Sequence, residues 1–107
     1  MNQEKHHYIV QQKLIIDAWQ REEYLIELEQ SLRFILTKIN WHKNLLIKGY
    51  YNLNINEVRS VKNDLKDYVK ELDEVITEFK KIEAPTERAE TIKNKTEQLI
   101  KTLNNEH

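Results

Sequence analysis

Histidine and carboxylate side chains at helical spacing are the first residues of this chain that could carry out chemistry. Glu4 and His7 form an E-x-x-H pair, which is the spacing of two ligands in carboxylate-bridged di-iron bundles. Such a centre needs a second pair of this kind and two more inward-facing glutamates, yet neither His42 nor His107 follows a glutamate by three residues. We therefore expect the protein to bind no metal ion and no other cofactor.

Clustered acids are the second possible source of chemistry. Glu22, Glu23, Glu27 and Glu29 are similar to the magnesium-holding acids of all-helical pyrophosphohydrolases, but no matching acidic pair occurs on another segment. The chain has no cysteine, no H-E-x-x-H and no G-x-S-x-G motif, and its single glycine excludes most phosphate-binding loops. The sequence therefore predicts a protein that is not an enzyme.

A helical hairpin is indicated where the residues 46–49, with the sequence Leu-Ile-Lys-Gly, precede the helix around Val58. This short segment resembles the hairpin of dimeric sporulation-type phosphotransferases. In that alignment the phosphorylated histidine of the family falls at Lys38 and the adjacent acid at Ile39. His42 is displaced by one helical turn, so the resemblance implies a hairpin but not the phosphotransfer activity.

Composition favours a small helical protein in the cytoplasm. The chain has 107 residues with one Gly and one Pro, which leaves few places for turns and predicts few, long helices. Basic and acidic residues number 17 and 18, for a net charge of -1, so nothing draws the whole molecule to nucleic acid or to an anionic membrane. No apolar run exceeds three residues, and we expect no membrane-spanning segment.

Residues 53–84 contain the clearest structural pattern. Asn54 and Glu57 have the spacing of a capping box, and Pro85 cannot continue a helix. Apolar residues in between recur at alternating steps of three and four, which indicates a helix packed along its whole length against other helices. These seam residues are Val58, Val61, Leu65, Tyr68, Leu72, Val75, Phe79 and Ile82.

Three helices are predicted, over residues 4–48, 55–84 and 86–104, in a single domain of residues 1–107. The first has no internal Gly or Pro and ends at Gly49, and Thr86 can cap the third. The fold class is an all-α antiparallel bundle of three long helices with coiled-coil-like packing. A break of the first helix near Ser31–Asn40 would instead give four helices.

The first helix is longer than its neighbours. If the helices run antiparallel, about 15 residues at its start extend past the turn at Pro85. A second copy of the chain could cover this apolar segment. The seam of the first helix is expected at Leu14, Ala18, Leu25, Leu28, Leu32, Ile35, Ile39 and Leu46, with Arg21 and His42 as polar interruptions.

A second set of large apolar residues lies away from that seam, and we name it the second stripe. A surface helix ordinarily has one apolar stripe, so the first helix is either central in the bundle or meets a partner. Tryptophan is enriched at interface anchors, which favours a partner. The second stripe comprises Ile9, Ile16, Trp19, Ile26, Phe34 and Trp41.

Polar residues give weaker indications. Glu57, Asp64, Glu71 and Glu78 form an acidic row at one heptad position of the second helix; such a row sets register in some bundles and is a solvated edge in others. Basic residues at 33, 38, 43 and 48 advance by five, so they spiral around the first helix.

The sequence favours a small adaptor or inhibitor that binds a protein partner stoichiometrically through the second stripe and forms a homodimer. The alternative is a regulatory protein associated with nucleic acid, which the net charge of -1 disfavours.

Overall fold

The chain folds into three α-helices, shown by a computed structural model. They are α1 (Asn2–Gly49), α2 (Ile55–Lys81) and α3 (Glu87–Glu106). The structure describes the backbone of residues 2–49 and 53–106 and the side chains of 17–47 and 53–104. Within these ranges no strand occurs, and the predicted all-α bundle of three long helices is confirmed.

The first helix is continuous from Asn2 to Gly49. It has no break between Ser31 and Asn40, so the four-helix alternative is wrong. Helix propensity explains the continuity, because this stretch contains no proline and its only glycine is the last residue. At about 1.5 Å per residue, α1 is roughly 72 Å long, which accounts for most of the 77 Å length of the molecule.

The hydrophobic core lies along α2, which packs against both α1 and α3, whereas α1 and α3 contact each other only slightly. Leu65 and Leu72 are completely buried at its centre. The predicted seam of α2 is confirmed, with Tyr68 and Ile82 half-buried at its edge. Core residues from α1 are Leu28, Leu32, Ile35, Ile39 and Leu46, and those from α3 and the turn before it are Ala84, Ala89, Ile100 and Leu103.

The start of α2 has the predicted cap. The Asn54 side chain accepts a hydrogen bond of 2.8 Å from the Glu57 backbone N–H, which satisfies one of the free donors at a helix N-terminus. The Glu57 carboxylate accepts in return from the Asn54 side-chain amide at 2.8 Å. The reciprocal bond therefore goes to the side chain of the cap and not, as in the usual capping box, to its backbone N–H.

The end of α2 falls three residues before the predicted limit of 84. Glu83 has a φ of 56°, the Ala84 N–H donates to the Phe79 carbonyl and the Glu83 N–H donates to the Lys80 carbonyl. This pair of bonds is a Schellman motif, which closes a helix. Pro85 thus follows a helix that has already ended, and α3 begins at Glu87, one residue later than predicted.

An N-terminal arm of α1 (residues 2–20) extends beyond the rest of the bundle. The Arg21 Nε–H donates to the Ile82 carbonyl at 3.0 Å, which places Arg21 level with the turn between α2 and α3. The arm is therefore about 28 Å long, as the unequal helix lengths predicted. Ala18 is exposed, so its expected place in the core seam is wrong, because α2 and α3 do not reach that far; Leu14 lies outside the described side chains.

No segment of the described helices is both long and apolar enough to cross a bilayer.

Candidate functional site

The second stripe faces solvent wherever the structure describes its side chains. Trp19 is 65% exposed, Ile26 54%, Phe34 65% and Trp41 60%. Ile9 and Ile16 belong to the same continuous helix, but their side chains lie outside the described ones. Four large apolar groups therefore face water along one side of the helix, with the exposed polar residues Glu23, Gln30 and Thr37 between them.

The exposed residues lie on the face of α1 opposite the core. At about 100° per residue, Trp19 and Leu28 point in opposite directions around the helix, and Leu28 is buried. The expectation that α1 could be central, with α2 and α3 on its two sides, is wrong within one chain, since α2 occupies that position. The two apolar faces of α1 therefore have different roles, and only one of them holds the bundle together.

A row of polar contacts joins α1 to α2 beside the core. The Tyr24 hydroxyl donates to Glu78 at 2.8 Å, Lys38 Nζ lies 3.1 Å from Glu71, and His42 Nε2 lies 3.1 Å from Asp64. Residues later in α1 pair with residues earlier in α2, so the two helices are antiparallel.

These contacts give the acidic row of α2 a structural role. Three of its four acids meet a polar side chain of α1, and the fourth, Glu57, completes the cap of α2. The row is therefore more than a solvated edge, and it fits the register-setting role described for such rows.

Two residues of the second stripe are connected to this polar row. Lys38 Nζ lies 4.8 Å from the centre of the Phe34 ring and 4.8 Å from that of Tyr68, which is within the range of cation–π attraction. The Trp41 and His42 rings pack edge to face, with 5.1 Å between their centres. Phe34 and Trp41 are thus exposed yet in contact with side chains that take part in the polar row.

Hydrogen bonds and burial at the contact between α1 and α2 shift the pKa values of Glu78, Tyr24 and Tyr68. The bond from Tyr24, followed by that from Lys81, lowers the pKa of Glu78 below its ordinary value, and the same Tyr24–Glu78 bond, followed by burial, raises the pKa of Tyr24. Burial, followed by the charge of Asp64, raises the pKa of Tyr68.

Between α2 and α3, the hydrogen bond to Asp73 raises the pKa of Lys93; the two groups are 2.6 Å apart. The shifts of Tyr24, Glu78 and Lys93 favour the charge states in which these groups hold the helices together.

A groove between α1 and α3 is a further apolar surface feature of the described side chains. It has a volume of about 560 Å³ and exists because α1 and α3 touch only slightly. Its apolar lining includes Leu36, Ile39, Ile92 and Leu99, with Lys43 and Lys95 among its polar residues. The groove opens on a different side of α1 from the second stripe, so the two surfaces are separate.

Two surface features escaped the sequence reasoning. One is a set of exposed apolar residues. Ile47 and Ile55 are exposed on either side of the loop between α1 and α2. Leu45 is also exposed; it lies eleven residues, about three turns, beyond Phe34 and so flanks the second stripe.

The other missed feature is a basic row on α2. Its members are exposed or half-buried and make no ion pair among the described side chains. Their steps of three and four residues could have been read from the sequence. The basic row comprises Arg59, Lys62, Lys66 and Lys70.

The residues first considered for chemistry are not brought together by the described structure. Glu22, Glu23 and Glu27 are exposed side chains of α1, and Lys38, which stands where the phosphotransferase resemblance would place a histidine, pairs with Glu71. Among the described side chains, no three histidine or acidic residues are close enough to hold a metal ion. Glu4 and His7 lie outside that set.

No protein-family model matches this chain, and no curated protein or solved structure is similar enough to match it either. Inferences about its function therefore depend on its own surface.

Proposed function

We propose that this protein is a non-enzymatic interaction module that binds a protein partner stoichiometrically through the second stripe of α1. The observation that supports this most directly is the exposure of Trp19, Ile26, Phe34 and Trp41 on one face, opposite the core. Adaptors and inhibitors act through surfaces of this kind, and self-association uses the same surface. The cytoplasm is the compartment that we propose for it.

The shape of this surface favours a helical partner. The second stripe follows a straight helix face for about 33 Å between Trp19 and Trp41, and it is convex and narrow. An amphipathic helix can lie along such a ridge, with its apolar residues at steps of three and four. Aromatic anchors at both ends of the ridge provide the large buried area per residue that binding hot spots require.

The test compares the wild-type chain with Trp19→Gln/Trp41→Gln. We expect the variant to keep its helical circular dichroism and to lose association, measured by light scattering across a concentration series and by pull-down. Ile55→Gln is the matched control, because Ile55 is 59% exposed and lies off the second stripe. Its association should equal that of wild type.

Three results would contradict the proposal. Global unfolding of the double variant would show that the tryptophans support the core. Unchanged association would show that another surface binds the partner. If the wild-type chain stays monomeric and captures no protein that Trp19→Gln/Trp41→Gln fails to capture, the second stripe has no binding role.

The basic row of α2 favours nucleic-acid association as the second candidate function. Four cations over about three turns can follow a phosphate backbone. Retention on DNA that falls steeply with salt, and that Lys66→Glu/Lys70→Glu abolishes, would support this candidate. Retention that the double charge reversal leaves unchanged would reject it.

A further inference from the structure

We infer that the second stripe binds a second copy of the chain, with the two α1 helices antiparallel and a two-fold axis at Gln30. This inference rests on the proposed function and specifies its partner. The evidence is the arrangement of apolar and charged residues on the exposed face of α1.

The four described residues of the second stripe are arranged symmetrically about Gln30. Ile26 and Phe34 are each four residues from it, and Trp19 and Trp41 are each eleven residues from it. An antiparallel two-fold pairing therefore places Trp19 of one copy beside Trp41 of the other and Ile26 beside Phe34. Each contact occurs twice, as a self-complementary interface requires.

The charged residues distinguish the antiparallel orientation from the parallel one. Glu22 and Arg33 are eleven residues apart, about three turns, so they flank the same edge of the second stripe. Glu27 and Lys38 have the same separation and flank the opposite edge. On both edges the acid is nearer the N-terminus and the base nearer the C-terminus.

In an antiparallel pair, each edge of the second stripe faces the same edge of the other copy in reversed direction. With the axis at Gln30, Glu22 of one copy and Arg33 of the other then share an edge at an offset of five residues, about 7.5 Å along the helix. A parallel pair brings opposite edges together, so Glu22 faces Glu27 and Arg33 faces Lys38 at the same offset. Like charges at such spacing are unfavourable. The charge pattern therefore selects the antiparallel pair. Arg33 makes no ion pair among the described side chains, whereas Lys38 is already paired with Glu71.

The bundle leaves room for this arrangement. Both hairpins of α2 and α3 lie on the core side of α1, so they would be on the outside of the pair. The N-terminal arm of each copy would extend along α1 of the other toward its C-terminal end. Burying this helix face removes from water the four described side chains of the second stripe, each of which is more than half exposed in the single chain.

Cysteine cross-linking tests the orientation directly, because the natural chain has no cysteine. Glu23 and Thr37 are exposed and each is seven residues from Gln30. In the antiparallel pair, Glu23 of one copy lies opposite Thr37 of the other. We expect Glu23→Cys mixed with Thr37→Cys to form a disulfide-linked dimer, each variant alone to link poorly, and Gln30→Cys alone to link efficiently. Efficient self-linking of Glu23→Cys, without enrichment in the mixture, would overturn the antiparallel geometry.

Charge reversal provides an independent measurement. Glu22→Lys alone and Arg33→Glu alone should each raise the dimer dissociation constant by about three- to ten-fold, and an equimolar mixture of the two should regain wild-type affinity. If the pair were parallel, neither Glu22→Lys nor Arg33→Glu would raise the dimer dissociation constant.

Solution mass separates this inference from the proposed function. A chain that is monomeric at all concentrations but binds another protein through Trp19 and Trp41 would overturn the self-pairing and leave the function intact. A dimer that persists unchanged in Trp19→Gln/Trp41→Gln would overturn the self-pairing through the second stripe and show that a different surface joins the copies.

Discussion

His42 on α1 and Asp64 on α2 form a contact of 3.1 Å between an imidazole nitrogen and a carboxylate oxygen. The two partners differ in burial, since the His42 side chain is only 10% exposed and the Asp64 side chain is 48% exposed. The other ring nitrogen of His42 lies 2.8 Å from the Lys38 carbonyl oxygen. A buried polar group is thus satisfied by a partner that water can reach.

This difference in burial predicts unequal effects of removing either partner. Asp64→Ala removes the partner 3.1 Å from the buried Nε2 of His42 and leaves only the Tyr68 hydroxyl, 3.5 Å away, so we expect the free energy of unfolding to fall by about 1–3 kcal/mol. His42→Leu leaves Asp64 hydrated and fills the site with an apolar group, so the loss should be under about 1 kcal/mol. Urea denaturation of both variants measures the difference. A larger loss for His42→Leu would show that packing of the ring, and not the ion contact, dominates.

Truncation of a side chain should lower the free energy of unfolding much more in the core of α2 than on the second stripe of α1. Leu72→Ala removes a completely buried side chain and should lower the free energy of unfolding by about 2–5 kcal/mol. Ile26→Ala, on the second stripe, should change it by no more than about 0.5 kcal/mol at a concentration where the chain is monomeric. Thermal or urea unfolding provides both values, and a loss at Ile26 comparable to that at Leu72 would place Ile26 in the core.

Acid pH should weaken the contact between Tyr24 and Glu78. The pKa of the Glu78 carboxyl is lowered below its ordinary value of 4.5, so its contribution to stability is present above that value and is lost as pH falls through the folded-state pKa. We expect the stability difference between wild type and Tyr24→Phe to be largest near neutrality and to shrink in acid. Urea denaturation across this range measures it.

The control for this pH dependence is the same comparison in a Glu78→Gln background. With no carboxylate to titrate, the effect of Tyr24→Phe should be the same at neutral and at acid pH. An effect that still narrows in acid would assign the pH dependence to a different group.

The turn after α2 contains a site where glycine should stabilise the protein. Glu83 has a φ of 56°, a left-handed conformation that costs a non-glycine residue about 1 kcal/mol. We expect Glu83→Gly to raise the free energy of unfolding by about 0.5–1 kcal/mol, since glycine is the usual residue at this position of a Schellman motif. Glu74→Gly, in the exposed interior of α2, is the matched control and should lower it by about 1 kcal/mol.

The sequence predicted most of the fold because its strongest patterns are local. The cap at Asn54 and the seam around Leu65 depend on spacing alone, and the continuity of α1 follows from the absence of helix breakers. The end of α2 was not predictable in this way. The Schellman motif there uses Glu83 in place of glycine, so nothing in the residue types marked the stop three residues before the expected one.

The surface was predictable only in part. The spacing of Trp19, Ile26, Phe34 and Trp41 showed a second apolar face, but a central helix would have the same pattern. Only the packing of α2 between its neighbours shows that this face is outside. His42 was expected to interrupt the seam, whereas it is buried, because Asp64 on another helix satisfies it. Pairings between distant segments such as this one depend on helix register.

The chain contains two tryptophans, and both Trp19 and Trp41 are on the second stripe, more than half exposed. We therefore expect the emission wavelength of its indole fluorescence to respond more to occupation of this stripe than to unfolding of the core. Contact with a partner should shift the emission to shorter wavelength, whereas unfolding of a single chain should scarcely move it. Binding at this stripe can then be followed by the emission wavelength and unfolding by the helical circular dichroism, without a label.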